Sequence, residues 1–164
     1  MQSCGSGETI FLEQNVWNEQ DPYDDWNKLT DCEKDFFKSN PSAISKAIEN
    51  RKKANQAAYN RFNHCKNASG NIDLHNNIGD AYRHAYFSAL NTKNMGYGNA
   101  SKLGNAHECD TPSSQLSEKV MDLKNNSWGY NYSLTNLNLT ESQFYQDFTR
   151  ANNNGEIKTL KPCN

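Results

Sequence analysis

Three stretches of the chain place ionisable side chains inside runs that otherwise read as helix core. In Asp80-Ala-Tyr-Arg83-His84-Ala-Tyr-Phe87-Ser88-Ala-Leu-Asn91, residues 80, 84, 88 and 91 share one helical face. An aspartate one turn before a histidine can hold its imidazole in one tautomer and raise its basicity. Alanines 81, 85 and 89 leave room for a second helix, so this face is not all solvent. Asn105-Ala-His107-Glu108-Cys109 sets a His-Glu pair at a helix end, which a bridged cysteine would fix. In Val120-Met121-Asp122-Leu123-Lys-Asn125-Asn126, Asp122 stands between two large apolar residues and shares a face with Glu118, Asn125 and Asn126. An isolated carboxylate is costly to bury, so Asp122 needs a partner, and Arg83, His84 and His107 are the candidates.

The same side chains suit either of two roles. As a catalytic set, His84, His107, Glu108 and Asp122 supply an imidazole base and a carboxyl acid. Asp80, Arg83, Asn125 and Asn126 are then the substrate-binding candidates, with Arg83 anchoring an anionic group or developing oxyanion and Asn126 orienting a water. No cofactor is expected. A divalent metal would have to draw its ligands from the catalytic set, whose mixed N/O donors suit zinc, iron or manganese. In the competing role the cluster is a buried network that locks three helices in register and needs no substrate.

Read together, the three segments resemble a bacterial helical domain family of unknown function. Its signature is Asp-Ala-x-Arg-His-Ala-x-Trp, then Ala-His-Glu, then Met-Asp-Leu-x-Asn-Asn, matched here by Asp80–Phe87, Ala106–Glu108 and Met121–Asn126. Glu33 and Asn40-Pro41 upstream, and Asn154-Gly155 with Leu160 downstream, extend the resemblance over residues 29–161. Phe87 stands where the family favours tryptophan, and Tyr130 where it often has a basic residue. The resemblance implies a helical domain found in secreted proteins, sometimes at the ends of toxin-like chains, and no established reaction.

The elements that must position these residues read as helices throughout. Residues 1–28 mix acidic and aromatic residues, including Trp17, Tyr23 and Trp26, without period, and are expected to form an extended arm; residues 29–164 form the domain. Thr30-x-x-Glu33 is a capping box that opens a short helix through Phe37. Asn40-Pro41 restarts a longer one to about Phe62, with Ile44, Ile48, Arg51, Asn55, Ala58 and Phe62 on its stripe. Asn76 or Asn77 opens a third through Met95, ended by Gly96, and a fourth covers Asn99 to Cys109. Thr111-Pro112 caps a fifth through Trp128, closed by Gly129, with a hairpin arm at Tyr130–Leu134; Thr140-x-x-Gln143 opens a sixth that buries Phe144 and Phe148 and stops at Asn154-Gly155. The expected fold is all-α, a single compact domain of five to six helices.

Composition sets the context. The 164 residues suffice for one core, and a net charge of −2 offers no footprint for nucleic acid. Mean hydropathy is −1.00, but 18 aromatic residues argue against disorder. The five cysteines lack Cys-x-x-Cys spacing. Cys4, followed by Gly5-Ser6-Gly7, resembles the tail of a bacterial lipoprotein signal, so the arm doubles as a lipoprotein linker and a lipid at Cys4 is the only expected membrane contact. Cys32, Cys65, Cys109 and Cys163 can close two disulfides in three ways, with Cys163 stapling the C-terminal tail. The chain therefore reads as secreted, periplasmic or outer-surface. Its expected function is that of a hydrolase or toxin-like effector on cell-envelope material, the alternative being a non-catalytic surface module that binds a partner protein or glycan.

Overall fold

The computed structural model describes residues 26–163, and six α-helices occur among them. A 3-10 turn, Trp26–Lys28, leads into α1, Asp31–Ser39; α2 spans Ala43–Phe62, α3 Ile78–Met95 and α4 Tyr97–His107. A second 3-10 turn, Ser113–Gln115, precedes α5, Leu116–Thr135, and α6 is Glu141–Asn153. The only β pairing among the described residues is an isolated bridge of Lys66 with Ile72. The all-α expectation holds. Most of the expected arm, with Cys4, Trp17 and Tyr23, lies outside the described residues.

Local chemistry accounts for the helix starts. Thr30 and Glu33 form the full capping box on α1, Asn77 caps α3 through the Gly79 N–H, and Thr140 caps α6 through the Gln143 N–H. Pro41 does not begin α2 as expected. Pro41 and Ser42 instead form the turn between α1 and α2, because Asn40 and Pro41 carbonyls accept from Ala43 and Ile44 and so start the helix two residues later.

Helix α3 is the centre of the fold: 13 of its 18 residues are buried, and it packs on α5, α2 and α4. Around Tyr82, itself fully buried, the rings of Phe62, Tyr86, Phe144, Tyr145 and Phe148 lie within 6.0 Å, which ties α2 and α6 to α3. On α2 the buried Asn50 donates to Asn91 of α3 at 2.8 Å, a polar contact inside the core that the apolar stripe does not announce.

The largest departure from expectation is α5. Gly129 does not close it: the helix runs on to Thr135 and absorbs the expected hairpin arm, with Tyr130 and Tyr132 buried. Gly129 is there for contact. A Cβ at this position would lie 2.0 Å from the Ala85 carbonyl oxygen, so α5 and α3 touch backbone to backbone.

Disulfides Cys32–Cys109 and Cys65–Cys163 staple the bundle. The second secures the tail, as expected of Cys163, and the tail also pairs Lys161 with Asp73 at 2.6 Å and donates Leu160 N–H to the Asn76 carbonyl.

Gly129→Ala should therefore destabilise the fold by about 3 kcal/mol, the upper end of overpacking costs. Denaturant unfolding checks this; a loss below about 1 kcal/mol would show that the helices separate easily.

Candidate functional site

Helices α3 and α5 build the site between them, and their contacts advance together. Asn76, just ahead of α3, donates to Glu118 at 2.8 Å; His84 Nε2 lies 3.4 Å from Asp122 Oδ1; Ser88 Oγ donates to Asn126 Oδ1 at 2.9 Å. The two helices thus run in the same direction, and the polar face of α3 is sealed against the polar face of α5.

Asp80 is the ionised member of the group. Its Oδ2 accepts the Asn76 backbone N–H at 2.8 Å, and its Oδ1 accepts a short hydrogen bond from Arg83 Nη2. Burial opposes the charge, yet the Arg83 guanidinium, with help from the Asn76 N–H, outweighs it and holds this carboxyl well below the usual range. Arg83 Nη2 also reaches His84 Nε2 at 2.9 Å. A guanidinium only donates, so Nε2 accepts and the ring is the neutral tautomer protonated at Nδ1. Burial, then the charge of Arg83, drives the imidazole well below its ordinary 6.5.

Asp122 is the anomaly. Its Oδ1 is buried and has no hydrogen-bond partner among the described residues, and its side chain is only 14 % exposed. Burial above all, then the negative charges of Asp80 and Glu108, push it up to about 8 from an ordinary 3.8. At neutral pH Asp122 is a carboxylic acid beside an unprotonated imidazole.

His107 forms the outer edge, its ring 6.4 Å from that of His84 and its side chain 28 % exposed. Its Nδ1 lies 2.7 Å from Oε1 of Glu33, while Glu33 Oε2 accepts the Thr30 N–H at 2.8 Å. One buried carboxylate therefore caps α1 and orients an imidazole of α4, leaving the ring's lone pair on Nε2. The Cys32–Cys109 disulfide and the Thr30 Oγ1 bond to the Ala106 carbonyl hold the two helices at this point. Glu33 was expected only as a cap and landmark. Its second role follows from the Cys32–Cys109 pairing, one of three that the cysteine count allows.

The remaining candidates take different places. Glu108, buried, accepts from Thr111 Oγ1 at 3.0 Å and acts on Asp122 through its charge. Asn126 is one turn further along, bonded to Ser88. Asn125 lies outside the cluster: its amide donates to the Lys158 carbonyl and accepts the Lys158 N–H, which anchors the C-terminal tail. Buried Arg51, expected only as part of the α2 stripe, stacks 5.6 Å from the Phe87 ring and adds its charge to the depression of His84. His64 and His75 are exposed in loops.

Asp80, His84 and Asp122 each offer a donor atom, all within 4.8 Å of one another, a spacing that one metal ion can bridge. Arg83 Nη2 already stands against two of those donors, so an ion there would have to displace the guanidinium. The donor set suits a cation, and the cation it holds is Arg83.

Fold and site together define an all-α, disulfide-stapled domain with a His/Asp/Arg cluster between parallel helices and a His–Glu pair at its rim. The chain belongs to the family described as Domain of unknown function (DUF6973), whose model matches residues 34–156. No curated protein and no solved structure matches it. The two disulfides point to an oxidising, extracellular environment, and no described helix is long and apolar enough to cross a membrane.

A carboxyl whose folded pKa is raised stabilises fully below its unfolded value and loses that contribution as pH rises through the folded one. Wild type should therefore lose stability relative to Asp122→Asn between pH 3.8 and about pH 8, the difference levelling off above. Paired denaturant titrations across that range check this; a difference independent of pH contradicts the raised value.

Proposed function

We propose that the domain is an exported hydrolase that acts on cell-envelope material by acid–base chemistry. The observation that carries this reading is the Oδ1 of Asp122, buried without a hydrogen-bond partner among the described residues and 3.4 Å from His84 Nε2, where burial favours the protonated acid and the neutral imidazole. A purely structural network satisfies its members; a site that transfers protons keeps one acid and one base with their pKa values pushed apart.

In this reading His107, oriented by Glu33, takes a proton from an attacking water on Nε2. Asp122 delivers its proton to the leaving group. Arg83 turns to the anionic group or oxyanion of the substrate, and in doing so frees His84 Nε2 as the proton partner of Asp122. Burial keeps Asp122 protonated, with the charges of Asp80 and Glu108 adding to it, and Asp80 tethers Arg83 between turnovers. An oxidising compartment limits the substrates to envelope glycan, peptide or lipid, and a lipid at Cys4 would keep the domain at that surface. The same chemistry serves a toxin-like effector. A second reading, a surface module whose cluster is scaffold, is favoured by the 5 % exposure of the Asp80 and His84 side chains.

The purified protein, incubated with isolated envelope material, should release reducing ends, free amines or fatty acids. His107→Gln and Asp122→Asn should each slow release by roughly 100-fold or more without lowering the melting temperature by more than a few degrees. The rate should fall above about pH 8, where Asp122 loses its proton. No release at all, with each substitution lowering the melting temperature by about 10 °C, would instead establish the scaffold.

A further inference from the structure

We propose that the Cys32–Cys109 disulfide is a reducible catch on this site, opened by small dithiols ahead of Cys65–Cys163, and that its opening releases His107 from Glu33. The proposal rests on the reading of His107 and Glu33 as working residues, but its geometry stands apart from any reaction.

The half-cystines sit beside the pair they secure. Cys32 precedes Glu33, and Cys109 follows His107 by two residues, so one covalent bond closes over the 2.7 Å contact between the side chains. The two disulfides differ in access. Cys32 is exposed and Cys109 half-buried, whereas Cys65 is fully buried in the core and Cys163 half-buried, so only the first bridge has an exposed half-cystine. Thiol–disulfide exchange needs a thiolate to reach a sulfur, which favours the first bridge.

The fold also directs where motion goes once the bridge opens. Phe36 and Phe37 hold the C-terminal half of α1 in the core, while its N-terminal turn, with Thr30, Cys32 and Glu33, is kept on α4 by the disulfide, the Thr30 bond to Ala106 and the Glu33–His107 contact. A nine-residue helix has little stability of its own, so the turn loosens from its free end. The exchange balances: the dithiol gives two electrons and two protons, leaves as its own cyclic disulfide, and Cys32 and Cys109 become thiols. The catch confines an assembled His107–Glu33 pair to oxidising surroundings, so the domain is disarmed wherever thiols abound.

The test exposes the intact protein to graded dithiothreitol, blocks new thiols with iodoacetamide and maps them by peptide mass. Cys32 and Cys109 should be labelled first. At the stage where, of the four half-cystines, only these two carry label, amide exchange at residues 31–34 should speed up at least tenfold, with α3 still protected. Labelling of Cys65 and Cys163 first or simultaneously overturns the proposal, as does selective reduction that leaves exchange at 31–34 unchanged. A Cys32→Ser/Cys109→Ser protein should match the selectively reduced state, its exchange at residues 31–34 unchanged by the dithiothreitol that opens the first bridge in wild type. None of these readouts uses activity: envelope assays that fail while the exchange result holds would refute the hydrolase and keep the catch.

Discussion

The backbone contact between α3 and α5 at Ala85 and Gly129 is the constraint on which the rest of the domain depends. With no side chain at Gly129 and only a methyl at Ala85, the helices approach backbone to backbone, and the Asp80 and His84 side chains near that contact are 5 % exposed. His84 meets Asp122 and Ser88 meets Asn126 because that crossing sets their separation. Desolvation then does the chemical work. It keeps His84 neutral and Asp122 protonated, and it leaves Asp80 charged only because Arg83 lies against it.

Much of this was legible in the sequence, and what was hidden has physical causes. The caps at Thr30, Asn77 and Thr140 and the buried face of Asp80, His84, Ser88 and Asn91 follow from local rules, since caps and helical periodicity act over a few residues. The partner expected for Asp122 is not a hydrogen-bonded one: His84 Nε2 lies 3.4 Å away, and burial is met by raising the carboxyl's pKa rather than by pairing its charge. Gly129 misled, since a glycine that ends a helix and a glycine that admits another helix look alike until the partner is known. Glu33 was hidden for a related reason: its cap is local, but its contact with His107 spans 74 residues and follows from one disulfide pairing among three. Asn125 shares a motif with Asn126, yet the step of about 100° between adjacent helical residues sends its amide to the C-terminal tail.

The cluster is organised in two halves that carry opposite burdens. Asp80, Arg83 and His84 are linked through one atom, Arg83 Nη2, which donates to both Asp80 Oδ1 and His84 Nε2, the kind of contact a scaffold uses. Asp122, and the Glu33–His107 pair at the rim, are the half in which a proton is held under stress or a ring is presented to solvent. Arg83 belongs to both, because its side chain is 20 % exposed and its Nη2 closes over the base nitrogen of His84. A substrate anion competing for that guanidinium would link binding to proton transfer without any helix moving.

The central claim is that Asp122 keeps its proton at neutral pH. Carbon-13 NMR of the side-chain carboxyl groups, assigned by loss of one resonance in Asp122→Asn, measures this directly. That resonance should titrate with a midpoint near pH 8. A midpoint near the ordinary 3.8 would show a hydrated or paired carboxylate, and would remove the acid on which the proposed chemistry turns.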